Sequence, residues 1–300
     1  MLLQKLALHR PELRAWAMYD WAISAVQTTV MVAVFPIFFI QVAGAGTKST
    51  VAGQWWAISN GIAVAIVAVL SPLLGTIADV AAAKKKLLAL WTGAGALACA
   101  AMMFVHRGDL TLASVLFVIV AIAASAAVVF YDALLPHIAS ADEVDLVSSA
   151  AYAIGYFGGG VLLAVNLVMI AKPGWFGLGD ADPTLPVRIA FVMVAVWWIA
   201  FAIPLFKRVP EPPRRLESDE RSGQSPVRVA VHRLAETFRE LRTYKQAFLM
   251  LIAFVLYNDG INTVQRMATA YGTELGIARE SLIAAILIVQ FVGVPATFLF

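Results

Sequence analysis

Asp259 and Arg266 are the two residues whose types and spacing best suit chemistry in this chain. They stand seven apart in the stretch YNDGINTVQR, residues 257–266, among Asn258, Asn262 and Gln265. On a helix a separation of seven is two turns, which keeps both on one face but out of reach of each other. A carboxylate and a guanidinium at two depths of one face can take the two ends of a zwitterion, ammonium at Asp259 and carboxylate at Arg266. Asp259 alone could instead bind a proton.

The same pattern occurs twice. The stretch YDWAISAVQT, Tyr19 to Thr28, aligns without a gap on Tyr257 to Arg266, placing Tyr19 on Tyr257, Ile23 on Ile261, Val26 on Val264 and Gln27 on Gln265. Asp20 then faces Asn258, so polarity is kept as well as shape, and an internal repeat is expected. Gln27 and Gln265 at matched positions suit either a two-sided hydrogen-bonding cavity or contacts between packed helices.

The elements that must position these groups are membrane helices. Hydrophobic residues make up 61% of the chain and charged ones 14%, against roughly a quarter charged in ordinary soluble domains. A bilayer core needs about 20 apolar residues per helix, and eight segments meet that, near residues 15–42, 52–78, 87–105, 110–135, 148–171, 187–206, 246–271 and 280–300. Asp20, Asp132, Asp259 and Arg266 are the charged residues well inside them. Each costs at least about 2.5 kcal/mol near the bilayer centre unless it has a partner, a wet cavity or a function. Asp20 falls near the cytoplasmic third of its span, where a gate and a transport site are both open readings.

Of the 22 lysines and arginines, 16 fall before the first span, in Lys84–Lys86, or between Lys207 and Lys245. That bias places the N-terminus in the cytoplasm. The connection 207–245 opens with the turn-rich KRVPEPPRRLESDERSGQSP, which cannot bury a core. Beyond Pro226 the spacing of Val231, Leu234, Phe238 and Leu241, with Arg228, Arg233, Arg239 and Arg242 among them, predicts a basic amphipathic helix lying on the cytoplasmic leaflet. Residues 1–206 therefore read as a six-helix half, 207–245 as a cytoplasmic linker, and 246–300 as two spans of a second half in the same orientation. Because the last segment is still apolar at Phe300, a longer protein with four further spans is expected. The apolar run after the N-terminus is too long for a signal peptide.

Several pieces together resemble one family. SPLLGTIADVAAAKKK, with Gly75, Asp79, Lys84 and Lys85, is similar to the loop motif of the major facilitator superfamily. WAMYDWAISAVQTTVMVAVFPIFF, YDALLPHIA, SSAAYAIGYFGGGVLLAVNL and LYNDGINTV resemble its vacuole-effluxer-like branch, whose fungal members are linked to autophagy and release amino acids from the vacuole. Departures are Ala82 and Ala83 where the family loop carries Gly and Arg, Ala151 where it carries Gly, and Asp132 where Asn is expected. The resemblance implies an all-α major facilitator fold of two parallel six-helix halves. It also implies a secondary transporter of a small solute, with amino acids as the family-led substrate, gated at the cytoplasmic face by Gly75, Asp79, Lys84, Lys85 and Asp132. The expected binding residues are Asp259, Arg266, Asn258, Asn262, Gln265, Gln27, Asp20 and Tyr19, and the expected ligands a small molecule and protons. The bilayer is the other partner, and the setting is a bacterial inner membrane. A non-transporting receptor or scaffold of the same fold is the alternative.

Enzyme chemistry finds no footing. GAGTKS near residue 46 lacks the adjacent Gly-Lys of a phosphate loop. His9, His106, His137 and His232 are scattered over separate tails and loops, and Cys99 is single, so neither a metal, a cofactor nor an internal disulfide is expected. A net charge of +3 reflects orientation in the membrane, and no nucleic-acid partner is expected.

Overall fold

In the computed structural model the chain is a helical bundle, described for residues 4, 6–81, 83–178, 182–213, 231–232, 235–236 and 239–299; at Thr76, residues 78–81 and Leu299 only the backbone is described. Eight helices among the described residues are long and apolar enough to cross a membrane. They are span 1 (Pro11–Ala43), span 2 (Ser49–Gly75), span 3 (Lys84–Phe104), span 4 (Leu110–Ile138), span 5 (Val144–Ala171), span 6 (Leu185–Arg208), span 7 (Lys245–Glu274) and span 8 (Arg279–Phe298). These are the eight segments expected from hydropathy, shifted by a few residues at their ends. Of the amphipathic helix expected after Pro226, Arg228, Arg233, Leu234 and Phe238 lie outside the described residues.

Span 1 is the axis of the first six. It packs along spans 5 and 6, while span 4 is flanked by spans 2 and 3. Its contact with span 5 depends on missing side chains. A Cβ added at Gly155 would lie 2.6 Å from Ser24 Oγ, at Gly158 2.5 Å from Trp21 Cδ2, and at Gly159 2.9 Å from Thr28 Cγ2. In a bilayer, where apolar surface gains little by leaving lipid, such close approach is what holds helices together. Gly75 of span 2 makes no such approach: its Cβ would meet only Val129 Cγ1, at an ordinary 3.9 Å.

Span 1 also leaves the α-helix. After Val26 it runs as π-helix over Gln27–Ala33 and again over Phe39–Ala43, with a short α-turn Phe35–Phe38 between. The amide of Val34 reaches back five residues to Thr29 O at 2.9 Å. Pro36 explains part of this, because it has no N–H to give to the carbonyl four residues earlier, that of Val32. Thr269 Oγ1, from span 7, donates to the Val32 carbonyl instead.

Ion pairs and caps stitch the ends. On the linker side Arg10 Nη2 donates to Glu143 Oε2 at 2.6 Å, and the same oxygen accepts from Ser140 N (3.2 Å) and Ser140 Oγ (2.9 Å). Lys84 is buried, and its Nζ lies 3.3 Å from Ala133 O and 3.0 Å from His137 Nε2. Glu211, just past span 6, takes the Lys85 N–H on both carboxylate oxygens, at 3.2 and 3.1 Å. On the far side buried Arg188 pairs with Asp182 and donates to Met103 O at 3.1 Å. Its Nη1 also lies 3.2 Å from His106 Nε2, and since a guanidinium only donates, that nitrogen is the acceptor.

Gly158→Ala drives a methyl group into the Trp21 indole, and overpacking of this kind costs about 1–3 kcal/mol. The thermal unfolding midpoint in detergent falls, whereas Gly61→Ala, where a Cβ meets nothing within 4 Å, leaves it unchanged or raised. The Ser140 backbone N–H bond, with its hydroxyl and Arg10, holds Glu143 below the usual glutamate range. A carboxylate depressed by folding stabilises above its unfolded pKa and loses that contribution as pH falls through its folded value. Unfolding midpoints measured down the acid side therefore fall less steeply for Glu143→Gln than for the parent.

Candidate functional site

Span 7 touches the first six helices at one end only, whereas span 8 runs along span 5. Span 7 meets spans 1 and 2 through its last third: Thr269 bonds the Val32 carbonyl, Trp56 Nε1 of span 2 donates to Arg266 O at 3.2 Å, and the Glu274 carboxylate fills the space over Gly53. These contacts lie on the side away from the linker. There too, span 1 residues Val34, Phe38 and Gln41 line a small cleft with Thr184 and Arg279. Span 8 packs along span 5, with Gln290 and Phe291 over Gly160 and Tyr156 against Gly293. Toward the linker, span 7 stands clear of the first six helices.

The polar stretch of span 7 lies on that open part. Tyr257, Asn258, Asp259 and Gln265 are exposed, and Asn262 and Arg266 are half-buried. Asn262 Nδ2 donates to the carbonyl of Asn258 on its own helix, at 2.8 Å. Asp259 lies 14 residues from Lys245, about 21 Å along the axis. The matched stretch of span 1 is placed differently. Gln27 is exposed like Gln265, but Asp20 is half-buried in the seam between spans 1 and 5.

Around Asp20 the structure gathers residues from four other helices. Ser24 Oγ donates to Asp20 Oδ1 at 3.3 Å, and Gly155 of span 5 lies directly against the carboxylate. Tyr19 is fully enclosed: its hydroxyl pairs with Thr92 Oγ1 of span 3 at 2.6 Å and accepts from Trp198 Nε1 of span 6 at 3.3 Å. It thus stands behind the site and faces none of the open space. Trp16 stacks on Tyr131 of span 4 with centroids 4.3 Å apart, and its Nε1 donates to the Tyr131 carbonyl at 3.0 Å. Asp132, the next residue, is exposed at the linker-side end of that helix.

Sequence reasoning placed Asp20 with the binding residues and Asp132 with the gate; the structure leaves Asp20 half-buried between spans 1 and 5 and Asp132 exposed at the end of the span 4 helix. It passed over Tyr131, Trp16 and Ser24. A signal was present in the repeated Tyr-Asp dipeptide, Tyr19-Asp20 in span 1 and Tyr131-Asp132 in span 4. Of the expected gating residues, Lys84 and Lys85 make the linker-side contacts described above, and the side chain of Asp79 lies outside the described residues. No group of three or more potential metal ligands occurs among the described residues.

Comparison with known proteins is consistent across sequence and structure. Residues 55–300 match the family described as vacuole effluxer Atg22 like. The chain is 31% identical over 300 residues to the uncharacterised MFS-type transporter YxiO of Bacillus subtilis, covering 95% of this chain and 66% of that protein. It is 26% identical over 165 residues to autophagy-related protein 22 of Yarrowia lipolytica, covering 49% of this chain and 27% of the relative. The chain thus spans about two thirds of the bacterial relative's length and about a quarter of the fungal one's. Among solved structures it is similar to the xylose transporter XylE from E. coli in a partially occluded inward open conformation, with a TM-score of 0.53, 16% identity, and coverage of 96% of this chain and 70% of that one.

Proposed function

The chain belongs to the vacuole effluxer Atg22-like family and has the major facilitator fold of an MFS-type transporter, and from that premise we propose a secondary active transporter that moves amino acids by alternating access, coupled to protons. Residues 1–206 form one half, 207–245 the linker, and 246–300 part of the second half, in a bacterial inner membrane with the N-terminus in the cytoplasm. The one-ended attachment of span 7 is the observation that carries this reading. A helix held to the first six at one end by Thr269, Arg266 and Glu274, with its polar residues exposed toward the other, suits a carrier that works by alternating access to a site near mid-membrane.

In this reading Asp259 receives the solute ammonium or a proton, and Arg266 receives the carboxylate. Asn258, Asn262, Gln265 and Gln27 supply hydrogen bonds, with Asp20 and Tyr19 on the opposite wall. Gly75, Asp79, Lys84, Lys85 and Asp132 govern the linker-side opening.

Flux of a labelled amino-acid panel into proteoliposomes, with and without an imposed proton gradient, tests this. Saturable, gradient-dependent uptake is expected from the parent, and Asp259→Asn loses the gradient-driven component while still inserting. Normal gradient-driven uptake by that variant removes Asp259 from the mechanism. Absence of flux for every amino acid, from folded protein, removes the solute class.

A further inference from the structure

Two polar groups stand without partners where spans 2 and 7 meet. On span 2, Asn60 is buried: its Nδ2 donates to the Trp56 carbonyl at 3.0 Å, while its Oδ1 is sealed from solvent and has no hydrogen-bond partner. A carbonyl only accepts, so the amide nitrogen must face Trp56 O and the oxygen is the free end. On span 7, the guanidinium of half-buried Arg266 has neither a hydrogen bond nor an ion pair among the described residues.

One indole joins the two. Trp56 is fully buried against Phe39 and Phe117, with ring centroids 5.4 and 4.4 Å away, and its Nε1 donates to the Arg266 carbonyl at 3.2 Å. Asn60 stands one turn beyond Trp56 and seven residues beyond Gly53, which Glu274 of span 7 covers, so it shares the side of span 2 turned to span 7. Arg266 in turn shares a side of span 7 with Thr269, which bonds the Val32 carbonyl of span 1. The two spans run in opposite directions, and helical side chains lean toward the start of their own helix. That lean carries Arg266 toward the linker, to the level of Asn60, and carries Asn60 back toward the level of Arg266.

We infer that Asn60 is a further solute-binding residue, its Oδ1 accepting from the ammonium of an amino acid whose carboxylate Arg266 holds. An acceptor and a cationic donor that are already stripped of water and left unpaired suit such a zwitterion. They reject a solute lacking either end, because that solute leaves the opposing group unpaired. The assignment rests on the proposed transport of amino acids and refines it. Asp259 lies two turns from Arg266, about 10 Å along the axis, whereas the ammonium and carboxylate of an α-amino acid sit on one carbon. The ammonium therefore goes to Asn60, and Asp259, on the exposed part of span 7, is left to the proton. The oxygen is sealed while Trp56 holds the Arg266 carbonyl, so solute reaches it as that contact opens.

Binding of the amino-acid panel to the purified full chain is measured by titration calorimetry, each member beside the carboxylic acid that lacks its ammonium. Asn60→Leu is expected to weaken the amino acid by about tenfold to a hundredfold and to leave the weaker binding of the deaminated acid where it was. Arg266→Gln weakens both. Asn60→Asp, which keeps an acceptor at the site, retains amino-acid binding. Leucine removes an unpaired oxygen at similar volume, so the unfolding midpoint of Asn60→Leu stays level or rises, which separates lost recognition from lost fold. Equal affinity of the parent and Asn60→Leu for the amino acid overturns the assignment, as does an equal loss for both members of a pair. A folded parent that binds no amino acid at all refutes the transported class itself, and the assignment with it.

Discussion

In a bilayer core no water is available to satisfy a stray backbone group, so every carbonyl released from a helix must find a partner within the protein. Pro36 deprives the Val32 carbonyl of its usual donor, and that carbonyl is where span 7 attaches, through the Thr269 hydroxyl. A break in the ladder of span 1 thus becomes the seat for the helix its own sequence repeats. The π-turns on either side follow the same logic, since each widens the helix and redistributes its carbonyls among neighbours.

That attachment sorts the polar residues into two environments. Away from the linker, Thr269 and Trp56 bond carbonyls of spans 1 and 7, and Arg188 bonds the Met103 carbonyl at the end of span 3. Toward the linker, span 7 exposes Asp259, while Asp20 sits half-buried in the seam between spans 1 and 5. The repeat Asp20/Asn258 therefore carries one polar position into two settings, an exposed wall and an enclosed one. Residues matched in sequence have been given different work by their neighbours.

The eight spans were legible because they rest on a bulk property, hydropathy. The site was legible only in part. Charges inside apolar runs announced Asp20, Asp132, Asp259 and Arg266, yet nothing in one dimension says that span 1 touches span 4. Asp132 therefore read as a gate residue on motif grounds. Trp16 and Tyr131 were invisible for a related reason, since an aromatic in a membrane helix is the expected filler and its stacking partner is 115 residues away. Glycine gave a mixed signal. GYFGGG marked the close seam with span 1, whereas Gly75, in the better-known motif, has ordinary space beside it.

Attachment at one end makes span 7 a lever. From Thr269 to Lys245 is 24 residues of continuous helix, roughly 36 Å. A tilt of about 10° around the outer fulcrum sweeps the inner tip through about 6 Å, while the Thr269 bond itself need only flex. The linker begins at that tip and its other end is anchored by Glu211 on the Lys85 amide. The chain is thus held to a fixed point on the first six helices close to where span 6 ends, and the free tip of span 7 is where the second half starts.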